Sequence, residues 1–131
     1  MNDQMFQLAK AAVKNAYAPY SNFHVGACLR AENGELYAGC NVENASYSLV
    51  LCAESSAISA LISAGQKKIK EVVITSSGEM LCPPCGACRQ RLYELADGNI
   101  PVHLYTMGGE FKTLHMNELL PHPFGSVNLD K

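Results

Sequence analysis

CAESSAISALISAGQKKIKEVVITSSGEMLCPPCGACRQRLYEL, residues 52–95, reads as a helix, a strand and a second helix in succession. After Cys52, the apolar residues Ala57, Ile58, Leu61 and Ile62 recur at helical spacing, and Gly65 can close a helix running from Cys52 to Ala64. Val72, Val73 and Ile74, within 69–75, form the β-branched run of a buried strand. Pro83-Pro84 then breaks the backbone. A further helix over 85–95 carries Ala87, Leu92 and Leu95, and Asp97-Gly98 ends it.

Upstream, Met5, Leu8, Ala9, Ala12, Val13 and Ala16 make one stripe of an amphipathic helix, which Asp3 can cap and which stops before Pro19. Residues 25–31 and 35–40 flank Glu32-Asn33-Gly34, a strong hairpin signal. Downstream, 101–106 and 110–114 read as strands across Met107-Gly108-Gly109. A short helix ends near Pro121, and the tail is irregular. This order predicts one α/β domain over residues 1–131, a three-layer α/β/α arrangement on a mixed five-stranded sheet.

The 131 residues are 48% hydrophobic and 17% charged, ordinary values for a chain that folds throughout. The formal net charge is -2, with ten Lys and Arg residues scattered apart from Lys67, Lys68 and Lys70. Nucleic-acid binders draw affinity from phosphate neutralisation, so this balance argues against a nucleic-acid partner and for a small neutral ligand. The first residues lack a cationic segment followed by an apolar run, and no stretch approaches a membrane span. The expectation is a cytoplasmic chain, with no membrane partner, whose six cysteines stay reduced.

Two fragments then stand out: Cys52-Ala53-Glu54 and Pro84-Cys85-Gly86-Ala87-Cys88, each opening a helix. A catalytic zinc site keeps three protein ligands and leaves the fourth position open, so Cys52, Cys85 and Cys88 fit the count for one Zn2+ per chain. Cys85 and Cys88, three apart, share one helical face. Thiolates are favoured at helix N-termini, where unpaired N–H groups and the positive dipole end favour negative charge. Cys52 and Glu54, two apart, point different ways in a regular helix, so Cys52 is better placed at the cap, with Glu54 beside the ion but not on it. Glu54 is the expected proton carrier. Cys-x-Glu followed by Pro-Cys-x-x-Cys is the signature of zinc-dependent deaminases.

At these residues the chain resembles the short, homotetrameric cytidine deaminases of pyrimidine salvage. The likeness runs through Tyr17-Ala-Pro-Tyr-Ser21, Phe23, Val25-Gly-Ala27, Gly39-Cys-Asn-Val-Glu-Asn-Ala45, Cys52-Ala-Glu54, Pro84-Cys-Gly-Ala-Cys-Arg-Gln90 and Glu118-Leu-Leu-Pro121. It implies hydrolytic deamination of cytidine and 2'-deoxycytidine to the uridine counterparts, with release of ammonia. Asn41 and Glu43 are implied to bond the ribose hydroxyls and Phe23 to pack on the nucleoside. Ala45, inside the matched segment, belongs to the same implied substrate set. Ala53, through its backbone, and Glu54, through its side chain, are implied to read the base edge. Tyr47 and Phe124 correspond to residues that reach a neighbouring subunit's pocket, so the resemblance implies a homotetramer with sites at interfaces. An anionic Glu43 disfavours a nearby phosphate, which points to nucleosides over nucleotides.

One position departs from the pattern. Many relatives carry an Arg after the catalytic Glu that bonds the ligand thiolates, whereas this chain has Ser55. Three thiolates and a divalent zinc sum to -1, and the excess weakens the metal as a Lewis acid. Arg89, next to Cys88, is the expected compensating partner.

Other readings of the same residues are a structural zinc knuckle or a redox pair for Cys85 and Cys88, and an iron-sulfur cluster if Cys82 and Cys52 join them. Cys28 and Cys40 read as small buried apolar residues, and the four histidines match no ligand spacing. A deaminase of another substrate, such as a nucleoside antibiotic, free cytosine or single-stranded nucleic acid, shares the chemistry. So does the metal binding of a non-catalytic zinc-stabilised domain.

Overall fold

The computed structural model describes residues 3–129. Helix α1 spans Asp3–Asn15, strands β1 and β2 span Val25–Ala31 and Leu36–Cys40, and α2 spans Ala53–Ser63. Then come β3 (Ile69–Ser76), α3 (Gly86–Leu95), β4 (Pro101–Tyr105), β5 (Phe111–His115) and α4 (Met116–Leu119). Single 3-10 turns lie at Tyr47–Leu49 and Ser126–Leu129. The five strands form one sheet in the order β2-β1-β3-β4-β5, with β3 and β4 parallel and all other neighbours antiparallel. The mixed five-stranded sheet read from the sequence is the one observed.

Alternation along the strands sorts the sheet into two faces. Ala27, Leu29 and Ala31 of β1, Val72 and Ile74 of β3, and Val102 and Leu104 of β4 pack with Ala53, Ala57 and Leu61 of α2 and Leu92 of α3. The intervening residues Cys28, Val73 and Tyr105 meet Met5, Phe6 and Ala9 of α1 on the other side. Each helix layer therefore covers one face, and the core is divided by the sheet.

The buried stripe of α1 differs from the expected one. Met5, Ala9 and Val13 are buried as expected, but Phe6 joins them and Leu8 is exposed. Phe6 stacks on Tyr105, with ring centroids 4.3 Å apart, and Tyr105 stacks on Phe111 at 4.9 Å. This aromatic column, worth more than a lone Leu contact, sets the helix rotation. Asp3 lies inside the first turn, not before it, and the preceding position is outside the described residues.

His103 is a cross-link in the sheet. Its Nε2 lies 2.6 Å from Glu71 Oε2 and its Nδ1 2.7 Å from Thr113 Oγ1, while Arg30 Nε donates to Glu71 Oε1 at 3.2 Å. Polar groups from β1, β3, β4 and β5 thus satisfy one another at low exposure.

The contact that matters for the site is between α2 and β2. A Cβ added at Gly39 would lie 2.4 Å from Ala57 N and 2.8 Å from Ala53 O. Only glycine lets the first turns of α2 rest on the strand backbone. That seating holds the start of α2 where the start of α3 can reach it. Among the described residues no helix is long and apolar enough to cross a membrane.

Candidate active site at two helix starts

Cys52 is the N-cap of α2 and Cys85 the N-cap of α3, both extended, with φ/ψ of -74°/158° and -66°/167°. Neither sulfur caps its own helix, so both are free to turn to a shared point. The two Sγ atoms are 3.8 Å apart, and Cys88, in the first turn of α3, brings a third. All three sulfurs lie within 4.8 Å of one another. A zinc tetrahedron with Zn–S bonds of about 2.3 Å has an edge of roughly 3.8 Å, so the three thiols fit one ion with little movement. Soft sulfur donors at two helix N-termini also match the preference of zinc and the local positive potential.

The thiols already interact. A hydrogen bond with Cys88 draws the Cys52 thiol below its ordinary pKa, and the same bond, with burial, pushes Cys88 up. Cys82 is half-buried, its Sγ 3.8 Å from the Pro83 carbonyl, and it is not in the three-sulfur group. Among the described residues, a four-cysteine set for an iron-sulfur cluster is not assembled. Gly86 has no crowding to relieve, since a Cβ there would meet nothing within 4 Å.

Glu54, in the first turn of α2, is 4% exposed. Burial pushes its carboxyl above the ordinary range, opposed by its own backbone N–H, the Cys88 thiol and the charge of Arg91. A buried carboxyl beside a thiol cluster can hold a proton nearer neutrality than a solvated one. Ala53, beside it, is 1% exposed.

Arg89 is not the partner of the sulfurs. Its Nε donates to Pro84 O at 2.9 Å and its Nη1 to Leu119 O at 3.1 Å, which ties the start of α3 to α4. Arg91 takes the expected place, with Nη1 3.8 Å from Cys88 Sγ, and Ser55 Oγ lies 3.9 Å from the same sulfur. Helix geometry explains the correction. Residue i+1 is turned about 100° from Cys88, whereas i+3 returns to its face, a spacing that marked Arg91 in the sequence.

A second group lies on the segment after β2. Asn41 is 8% exposed, and its side chain is bonded to the backbone: Val25 N–H donates to Oδ1 at 2.9 Å and Nδ2 donates to Phe23 O at 2.8 Å. Glu43 accepts from Tyr20 N–H at 2.9 Å and Ser21 N–H at 3.1 Å on Oε1, and from the Ser21 hydroxyl on Oε2. These bonds, the Ser21 hydroxyl foremost, hold the Glu43 carboxyl below its ordinary pKa. Asn41 and Glu43 therefore grip the same loop, 20–25, in addition to lying two apart on one extended segment. Tyr20, Ser21, Glu43, Asn44, Tyr47 and Val50 line a cavity of about 250 Å³. A larger one of about 480 Å³ lies between the end of α3, α4 and the tail, away from the thiols and Glu54.

Of the remaining expected residues, Phe23 is 41% exposed, Tyr47 78% and Phe124 54%, and Ala45 is also exposed. Gln90 Nε2 donates to Phe124 O at 2.7 Å, anchoring the tail to the helix that carries Cys88. Two further residues belong to this region: Ser21, whose contact with Glu43 no spacing marks, and Arg91, which the i+3 spacing from Cys88 does mark.

Three thiols at paired helix starts, with a buried carboxyl alongside, make a metal-dependent hydrolytic site on an α/β/α scaffold. The family model described as "Cytidine and deoxycytidylate deaminase zinc-binding region" matches residues 1–104. The chain is 39% identical over 127 residues to a cytidine deaminase of Sporosarcina psychrophila, covering 97% of this chain and 93% of that one. Its structure is similar to that of a cytidine deaminase from Burkholderia pseudomallei, with a TM-score of 0.89 and 40% identity over 95% of this chain and 99% of that one. A cytidine deaminase from Mycobacterium leprae superposes with a TM-score of 0.80 at 42% identity, covering 92% and 97%. The chain belongs to the cytidine and deoxycytidylate deaminase family, an enzyme family with a zinc-binding region, and its three clustered cysteines are positioned for one zinc.

Proposed function

We propose that the protein hydrolyses cytidine and 2'-deoxycytidine to uridine and 2'-deoxyuridine, releasing ammonia. The observation that carries this is the buried Glu54 carboxyl beside the Cys52, Cys85 and Cys88 cluster, in a chain 39% identical to a named cytidine deaminase. When bound in the cradle, zinc supplies the Lewis acidity that makes water nucleophilic near neutral pH. Glu54 takes a proton from the attacking water and gives it to ring N3. It then takes the remaining proton from the C4 hydroxyl and passes it to the departing amine, so that the C4–N bond breaks, ammonia leaves and the C4 carbonyl forms. The raised Glu54 pKa suits a group that must both accept and donate.

Asn41 and Glu43 bond the sugar hydroxyls, Phe23 packs on the nucleoside, and the Ala53 backbone meets the base edge, with Ala45 nearby. Arg91 offsets the charge of the thiolates. The enzyme works as a homotetramer in which Tyr47 and Phe124 complete a neighbour's pocket. Support for this comes from the exposed apolar run Val42, Tyr47, Leu49, Val50 and Leu51, beside the cavity at Glu43. A water-exposed patch of that kind is typical of an interface. Free cysteines throughout fit a reducing, cytoplasmic setting.

The test is Glu54→Gln. Zinc content stays near one per chain, while turnover of cytidine, read from the loss of cytosine absorbance, falls by about 10²–10⁴-fold. Turnover within tenfold of the parent overturns the assignment.

A further inference from the structure

The loop between α1 and β1 presents Phe23 to solvent, and each end of that residue's backbone is held. Phe23 N–H donates to Ser21 Oγ at 3.0 Å, and Phe23 O accepts from Asn41 Nδ2 at 2.8 Å. Asn22, between them, has a φ of 57°, a left-handed conformation that Asn tolerates better than most residues. That turn folds the Phe23 N–H back onto the Ser21 hydroxyl.

The Ser21 hydroxyl has one hydrogen to give. Because its oxygen accepts from Phe23 N–H, that hydrogen is directed to Glu43 Oε2. The other carboxylate oxygen is taken by the N–H groups of Tyr20 and Ser21. Glu43 is thus fixed in rotamer and in ionised form, with one lone pair of Oε2 left for a ligand. The chain of bonds runs Asn41, Phe23, Ser21, Glu43, so the two polar side chains and the aromatic ring form one connected frame.

We infer that Ser21 is a positioning residue that aligns Phe23 and the Glu43 carboxylate to one sugar ring and so sets discrimination for nucleosides bearing ribose hydroxyls. This rests on the proposed sugar contact of Glu43. Without the hydroxyl, Glu43 loses its strongest partner and the Phe23 N–H loses its acceptor. Binding of the sugar hydroxyl then competes with carboxylate rotation, and the loss falls on KM more than on kcat.

The experiment compares zinc-loaded parent, Ser21→Ala, Ser21→Thr and Glu43→Gln on cytidine and on 2',3'-dideoxycytidine. In Ser21→Ala, kcat/KM for cytidine falls by about tenfold, mostly through KM, whereas that for the dideoxynucleoside falls by no more than about threefold. The acid limb of the cytidine KM profile also moves to higher pH, because Glu43 is less well held in its ionised form. Ser21→Thr, which keeps the hydroxyl, restores the ratio. Equal losses on both substrates, or an unchanged ratio, in Ser21→Ala while Glu43→Gln does collapse it overturn the role of Ser21. An unchanged ratio in Glu43→Gln overturns the sugar contact itself, and the inference with it. Thermal unfolding of each variant separates these outcomes from a loss of fold.

Discussion

Replacing Arg91 with Met keeps the aliphatic stem of the side chain and removes its charge. In the parent, Nη1 is 3.8 Å from Cys88 Sγ. At that distance two unit charges interact by about 1 kcal/mol in water and about 4 kcal/mol at an effective dielectric near 20. Arg91 is exposed, so the lower part of that range applies, about 1–2 kcal/mol. Three thiolates around a divalent ion carry one excess negative charge, which the guanidinium opposes. Arg91→Met is therefore expected to weaken zinc binding by roughly 5- to 30-fold, measured by competition with a chromophoric chelator. The loss shrinks in 1 M salt, where the Debye length falls to about 3 Å. Arg89→Met is the paired control. It removes charge-assisted bonds to the carbonyls of Pro84 and Leu119, so it costs about 2 kcal/mol of stability and leaves zinc affinity within about twofold. The reasoning is refuted if Arg89→Met weakens zinc and Arg91→Met does not.

Burial pushes the Cys28 thiol up to about 12 from an ordinary 9.0. Between those values the unfolded chain loses this proton while the folded chain keeps it, so stability declines as pH rises, by about 1.4 kcal/mol per pH unit. Urea unfolding of the parent and Cys28→Ala across pH 9–11 reads the contribution as a difference in slope; parallel curves exclude it. Gly39→Ala places a methyl 2.4 Å from Ala57 N, which α2 can avoid only by lifting off β2. A loss of about 2–3 kcal/mol, together with weaker zinc binding because Cys52 moves, is expected from denaturation and chelator competition; parent-like behaviour in both contradicts the seating described for α2.

Much of the site is local and was legible for that reason. A cysteine before an apolar helical run has few choices at a cap, so Cys52 and Cys85 could be placed at helix starts, and both stand there with extended backbone. Cys88 follows from Cys85 by helix spacing alone. The strands follow from apolar and β-branched runs and from the Asn-Gly turn, and their bounds differ from the expected ones by at most a residue at either end. Side-chain orientation beyond the next turn was less legible. Leu8 and Phe6 are both apolar, and only the stack on Tyr105 decides which is buried. Arg89 was favoured by adjacency, but a helix turns adjacent residues apart.

Sequence by itself determined the element order, the three candidate ligands and the carboxylate beside them, because each depends on contacts within a few residues along the chain. Tertiary structure decided how Ser21 holds Glu43. It also decided that Cys85 and Cys88 join Cys52 while Cys82 stays out of the cluster. Such placements depend on how α2 and α3 sit on the sheet and on how loop 20–25 meets the segment after β2. Those are packing relations among distant segments, and no local spacing encodes them.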